Sequence, residues 1–266
     1  MIKNQIPKKI HYCWFGKHPL PKSALKCIQS WKKYFPDYEI IQWDESNYDV
    51  NKIKYIKDAY RAKQYAFVSD YARFDILYHE GGIYFDTDVE VIKSFEEILK
   101  NGSFMGCEID GLPLSQYELN QKLMEKGKKI CKTKRITVSP GLGMAAVPGL
   151  NIYKDILDFY QKQNFFYHDG TINQETVGMK ITGILLEKGL KNIKGIQKIE
   201  EITIYPKEYF NPLNNNTGII DITENTHSVH KYSMSWISPM KRVKSRITRI
   251  FHRIFGENCF SFFKNS

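Results

Sequence analysis

Apolar and polar positions along the chain divide it into alternating short-period and helical-period segments. Residues Ile6 to Phe15 (IPKKIHYCWF) are β-branched and aromatic and stop at Gly16, Pro19 and Pro21, which predicts a first strand. Ser23 stands where a helix N-cap belongs, and the following pattern predicts a helix reaching Trp31 or Tyr34. Tyr38 to Trp43 (YEIIQW) predicts a second strand, so the chain opens as an α/β unit. Between Asp58 and Glu80, Ala62, Tyr65, Ala66, Phe74, Leu77 and Tyr78 recur at helical spacing, and Gly81-Gly82 ends the run. Ile83 to Phe85 predicts a short buried strand, Asp86-Thr87-Asp88 follows at its C-terminal end, and Val89 to Ile92 resumes an extended pattern.

The second half is less regular. Residues 100–134 read as a loop-rich excursion with one helix around Tyr117 to Lys128. Ile136 to Val147 predicts a glycine-interrupted strand region, Asn151 to Gln161 and Gly178 to Lys188 predict helices, and Ile202 to Tyr205 and Ser228 to Tyr232 predict strands. In the tail Val243, Ile247, Ile250, Phe251, Ile254 and Phe255 form an apolar stripe, with Lys241, Arg242, Lys244, Arg246, Arg249 and Arg253 on the other face. This is a basic amphipathic helix. The expected division is a body at 1–238 and a tail at 239–266.

Charge sharpens that division. The chain of 266 residues carries a net +10, and from Pro239 onward seven cations against Glu257 give +6 of it. The body is only mildly basic, so no nucleic-acid partner is expected for it. No run approaches the roughly 18 apolar residues of a membrane-spanning helix, and no apolar leader precedes Pro7. The five cysteines (Cys13, Cys27, Cys107, Cys131, Cys259) are scattered and form no CxxC, which points to a reducing cytosol rather than a disulfide framework.

The candidate chemistry gathers behind the third strand. Asp86 and Asp88, two apart on a turn, are able to share one hard divalent cation such as Mn²⁺ or Mg²⁺; taken alone they read first as a charged turn, since two aspartates so spaced are common by chance. Upstream, Asp70 and Arg73 share a face of a helix whose neighbours Ala66, Ala72, Ile76 and Leu77 imply burial, and a buried ion pair needs a partner or a task. His230 is read either as a third metal ligand or phosphate donor, or as a hydrogen-bonded histidine at a strand end. Trp14 is read as core unless a ligand claims it, and Trp236 shares that ambiguity. Asp75 is expected to be structural. Asp169, Asn173, Gln174 and Glu175 form a polar cluster that loop polarity explains as well as a sugar site would.

The ordered series IPKKIHYCWFG, Ser30-Trp31, PDYEIIQWDE, SDYARFDILYHEGGIYFDTDVEV and VHKYSMSW resembles the DXD-containing glycosyltransferases of family 32. It is dense over 5–99 and returns at 136–148 and 202–236. The resemblance implies a GT-A fold, a Rossmann-like mixed α/β sheet with flanking helices, to which the basic tail helix is added. It implies a nucleotide-sugar donor, usually Mn²⁺, and retention of anomeric configuration. By match to the family's motifs, Trp14 stacks on the donor base, and Asp70 and Arg73 contact sugar, ribose or diphosphate. Asp86 and Asp88 hold the metal. His230, Ser235 and Trp236 form a closing element over the diphosphate. Lys231 and Tyr232, Met234, and Gly178-Met179 depart from the family's common residues.

The function so expected is a metal-dependent retaining hexosyltransferase acting on a polysaccharide or lipid-linked oligosaccharide in cell-surface biosynthesis. It would work in the cytoplasm at the inner face of the membrane, held by its tail on anionic lipid. The alternatives are an inert basic module that binds membrane or nucleic acid, and a small effector that glycosylates a protein. The tail's apolar stripe is alternatively expected to pack on the body itself.

Overall fold

The first predicted strand forms as β1 (Lys9–Cys13), which pairs in parallel with β2 (Glu39–Trp43) across helix α1 (Lys22–Tyr34). The structure is a computed structural model, and it describes residues 5–126, 135–232, 248–254 and 256. Helix α1 turns Ala24, Cys27, Ile28 and Trp31 inward at helical spacing. Trp31 is completely buried against Tyr12 and Phe85. A large apolar side chain so buried contributes roughly 1.5–3 kcal/mol.

The single helix expected between Asp58 and Glu80 is two, α2 (Lys54–Arg61) and α3 (Tyr65–Glu80). The break falls at Lys63, whose φ of 57° has no place in a right-handed helix. Periodicity continues across the break because both helices bury the same kind of face, so sequence pattern alone does not detect it. Helix α3 ends at Gly81, and β3 (Gly82–Tyr84) then enters the sheet parallel to β1. Gly82 has a φ of 100°, and a Cβ there would meet the Lys9 carbonyl oxygen at 2.7 Å, so this junction requires glycine twice over.

Beyond the aspartates, β4 (Val89–Val91) leaves the main sheet and pairs antiparallel with β10 (Ser228–His230). Helix α4 (Glu96–Lys100) leads to β5 (Phe104–Ile109). That strand lies inside the predicted loop-rich excursion and corrects it. Its sequence FMGCEI is short and broken by Gly106, where a Cβ would meet the Phe210 ring at 2.5 Å. Helix α5 (Leu114–Glu125), β6 (Thr137–Ser139), a 3₁₀ turn (Pro140–Leu142) and β7 (Met144–Ala146) follow. Helices α6 (Asn151–Gln161) and α7 (Val177–Glu187), then β8 (Gln197–Ile199) and β9 (Ile202–Tyr205), complete the series.

The main sheet runs β2-β1-β3-β7-β5-β9-β8, with β6 also paired to β5. It is mixed: β1 is parallel to β2 and β3, whereas β7 is antiparallel to β3 and β5. One core cluster lies under α2, α3, α6 and α7, and a second lies under α1, α4 and β4. A mixed sheet with helices on both faces is the expected mixed α/β class. Among the described residues no helix is long and apolar enough to cross a membrane. Of the tail, residues 248–254 are described and are helical; most of the predicted tail helix lies outside the described residues.

Candidate active site

The C-terminal ends of β1, β2 and β3 lie side by side, the edge of an open α/β sheet where ligands gather. Strand β3 delivers Asp86 and Asp88 there. The Tyr84 hydroxyl donates to Asp86 Oδ1 at 3.1 Å, and the Asp86 amide lies 3.4 Å from the Gly141 carbonyl oxygen. Helix α1 fixes the next strand. The Trp31 indole N–H donates to the Val89 carbonyl at 2.8 Å, and the Val91 amide donates to the Ser30 hydroxyl at 2.9 Å.

Pairing of β10 with β4 places His230 opposite Val89, and thereby beside Asp88. His230 Nε2 lies 3.0 Å from Asp88 Oδ1, and the Lys231 amide donates to the Asp88 carbonyl at 2.9 Å. Asp86, Asp88 and His230 each present one ligand atom, all within 4.8 Å of one another. A histidine 142 positions away from the second aspartate is thus brought to it by backbone pairing. Burial works against its protonation, but Asp88, with Asp86 and Glu108 adding, outweighs this and raises the imidazole pKa. Its Nδ1 is buried and has no hydrogen-bond partner among the described residues. Two carboxylates and an imidazole are a donor set for a divalent cation of the Mn²⁺ or Mg²⁺ kind, and cation binding would displace the proton that Asp88 now favours.

Arg73 organises the other side. It is 3% exposed and spends its guanidinium in three directions. Nε donates to the Ser69 carbonyl at 3.0 Å, one terminal nitrogen to Asp70 at 2.9 Å, and the other lies 3.4 Å from Asp86. Its plane covers the Tyr84 ring at 5.0 Å. Burial opposes the charge, yet Asp86, Tyr84 and Asp70 raise its pKa above the ordinary value. Asp70 is pushed up to about 6, chiefly by burial, with Arg73 opposing and Asp86 adding to the rise. Asp70, Arg73 and Asp86 therefore form one chain of charges, expected from spacing only as the pair Asp70 and Arg73.

Gly141 closes this chain. A Cβ there would stand 2.2 Å from Asp86 Oδ2, so the 3₁₀ turn after β6 is pressed against the carboxylate. On the opposite side, Trp14 is half-buried rather than core. It borders an open depression of about 600 Å³ with Lys17, His18, Gln42 and Asp44, and its indole donates to the His18 carbonyl at 2.6 Å. Ser235 and Trp236 lie outside the described residues. Asp75 has the expected structural role, accepting from the Tyr48 hydroxyl at 2.8 Å and from Lys52 at 2.7 Å. In the polar cluster, Asp169 caps Thr171, and Asn173 accepts from Tyr167 and from the Glu175 amide, which are loop contacts.

Several side chains near the site have contacts that the sequence does not announce. Tyr232 packs edge-on against His230 with ring centroids 4.3 Å apart. Its hydroxyl donates to Glu108 at 3.2 Å and accepts from Asn211 at 2.8 Å. Lys180 is buried between the Tyr55 and Tyr160 rings and donates to the Tyr55 hydroxyl at 3.0 Å. Burial lowers its pKa, with Asp70 and Glu175 opposing. A lysine in an amphipathic helix reads as solvent-facing, and nothing in its neighbours says otherwise.

Residues 21–105, from α1 to the start of β5 and including both aspartates, match the family described as glycosyltransferase sugar-binding region containing DXD motif. The protein called Subversion of eukaryotic traffic protein A, from Legionella pneumophila (strain Philadelphia 1), is 30% identical over an alignment covering 32% of this chain. That alignment spans only 17% of the length of the curated relative. Among solved structures, PaToxG glycosyltransferase superposes with a TM-score of 0.47 at 16% identity, covering 70% of this chain and 71% of that one. The galactosyltransferase LgtC, solved with donor and acceptor sugar analogues, gives 0.42 at 13% identity, covering 90% and 93%.

Proposed function

We propose, from the DXD-containing glycosyltransferase region that the chain carries, that it is a metal-dependent retaining glycosyltransferase. It moves a hexose or N-acetylhexosamine from a UDP- or GDP-linked donor to a polysaccharide or lipid-linked oligosaccharide in cell-surface biosynthesis. The observation that carries this reading is the convergence of Asp86 and Asp88, inside the region matched as glycosyltransferase, with His230, which the pairing of β10 with β4 brings to them from outside that region.

Asp86, Asp88 and His230 would hold the cation, Mn²⁺ or Mg²⁺. When bound, such an ion supplies charge stabilisation to a diphosphate leaving group. The chain's own residues do the remaining work. Arg73 offsets the mutual repulsion of Asp70 and Asp86 and keeps both carboxylates turned toward one place. Trp14 stacks on the donor base beside the depression at the β1 and β2 ends. Ser235 and Trp236 close over the diphosphate. Residues 1–238 act as the transferase unit. The tail from 239 to 266 holds it to anionic lipid at the inner face of the membrane, within reach of a lipid-linked acceptor.

A second reading, a transferase that glycosylates a host protein, is favoured by one observation: the curated relative is named for subversion of eukaryotic traffic. A thermal-shift panel of UDP- and GDP-sugars with and without Mn²⁺ tests the donor site. A donor at about 100 times its Kd stabilises the fold by about 2.7 kcal/mol. A Mn²⁺-dependent shift for one donor is expected; no shift for any donor in a folded sample counts against the site. Transfer from that donor to lipid-linked glycan or to protein then separates the two readings.

A further inference from the structure

The body contributes a second apolar element next to the tail. In the loop after Phe210, Ile219, Ile220 and Ile222 are exposed, as are Ile250, Phe251 and Ile254 of the tail helix; all lie between 42% and 66% accessible. Sequence reading singled out only the tail. The structure joins the two segments: Arg249 Nε donates to the Asn215 carbonyl at 2.9 Å, a terminal nitrogen bonds the Asn215 side chain, and the Arg249 stem lies against Gly218.

We infer that the loop 213–222 and the tail helix form one surface that rests on an anionic lipid bilayer and turns the candidate active site toward it. Exposed isoleucines in a loop joined to an exposed apolar stretch of helix are a cluster of the kind that marks an interaction surface, unlike single scattered apolar residues. Charge selects the occupant. Arg249 and Arg253 stand on the described helix, Lys241, Arg242, Lys244 and Arg246 precede it in sequence, and no acidic residue lies between 239 and 256. Cations interleaved with apolar side chains match negative headgroups over hydrocarbon. Asp221 and Glu224, on the loop side, are the opposing charges. The position also serves the site: Leu213 is two residues from Asn211, whose side chain holds Tyr232, and Tyr232 packs on His230. A saccharide anchored in the bilayer would therefore approach from the edge at which β10 closes the Asp86–Asp88 group. This deepens the membrane-held transferase reading and rests on it.

The test is co-sedimentation of the full chain with vesicles of phosphatidylcholine alone or with about 30% phosphatidylglycerol, at varied salt. Binding to the anionic vesicles only is expected. The triple variant Ile219→Ser, Ile220→Ser, Ile222→Ser should weaken partition by about tenfold or more while melting cooperatively. Should it fail to fold, Ile222→Ser alone and Arg249→Ala carry the same expectation of weaker binding. Wild-type failure to bind, or variants binding as wild type does, would overturn the inference. So would a solution dimer that the loop variants abolish, since a second copy would then cover the surface. Donor hydrolysis by the wild-type chain without vesicles is measured alongside. Its absence counts against the transferase, whereas lost vesicle binding with hydrolysis intact counts against this surface alone.

Discussion

The indole N–H of Trp31 donates to the carbonyl oxygen of Val89 at 2.8 Å, tying a fully buried residue of α1 to the strand that begins immediately after Asp88. Val89 is also the residue opposite His230 in the β4–β10 pair. One core hydrogen bond thus supports both the aspartate turn and the histidine that faces it. Trp31→Phe keeps most of the apolar volume but leaves a buried carbonyl without its donor, at a cost of about 1–3 kcal/mol. A lower urea midpoint together with weaker Mn²⁺ binding by calorimetry is expected.

Gly141→Ala tests the close approach at Asp86. The new Cβ would lie 2.2 Å from Asp86 Oδ2, so the carboxylate must move. A misplacement of about 1 Å at a reacting centre costs on the order of 10²-fold. Metal-dependent donor hydrolysis should fall by about that factor. A wild-type rate in Gly141→Ala would show that the carboxylate position is unimportant.

Arg73→Met removes the positive charge between Asp70 and Asp86 and leaves two half-buried carboxylates facing each other. Breaking a buried pair from one side costs about 3–5 kcal/mol. Arg73→Lys restores charge without the planar fork and should recover only part of the loss. Urea unfolding of the three proteins at neutral pH measures both effects.

His11 makes stability depend on pH independently of the site. It is fully buried, accepts from the Trp43 indole at 3.0 Å through Nδ1, and so donates to the Gly81 carbonyl at 2.9 Å through Nε2. Burial is the main cause that lowers its pKa to about 4 from 6.5, with Lys9 adding and the Gly81 contact and Glu80 opposing. The unfolded chain takes up this proton first as pH falls. The stability is therefore complete above about pH 6.5 and is lost progressively toward pH 4, by roughly 3 kcal/mol if the whole shift is expressed. A melting curve measured across that window should show the decline, and His11→Gln should flatten it.

Much of this was legible in the order of residues, and the reasons for the remainder are local. Asp86 and Asp88 follow an apolar strand after two glycines, so their place at the sheet edge was readable. Arg73 and Asp70 were readable as a helical pair, but Arg73's link to Asp86 depends on where β3 lies relative to α3. Strand β5 carries no clear strand pattern because Gly106 interrupts its six residues, and Phe104 and Gly106 are covered by Phe210, far along the chain. Tyr232, Glu108 and Asn211 meet only through tertiary pairing, and no periodicity announces them. The exposed isoleucines at 219, 220 and 222 sit in a loop, where scattered apolar residues are ordinary until a neighbouring helix is seen.

The central claim is tested most directly by nucleotide release from UDP- and GDP-sugars, followed with Mn²⁺ and with chelator, in the wild-type chain and in Asp88→Asn. The account predicts Mn²⁺-dependent release from one donor that chelator abolishes and that Asp88→Asn reduces by at least about 10²-fold with the fold retained. Release that ignores chelator, or that persists undiminished in Asp88→Asn, would contradict it.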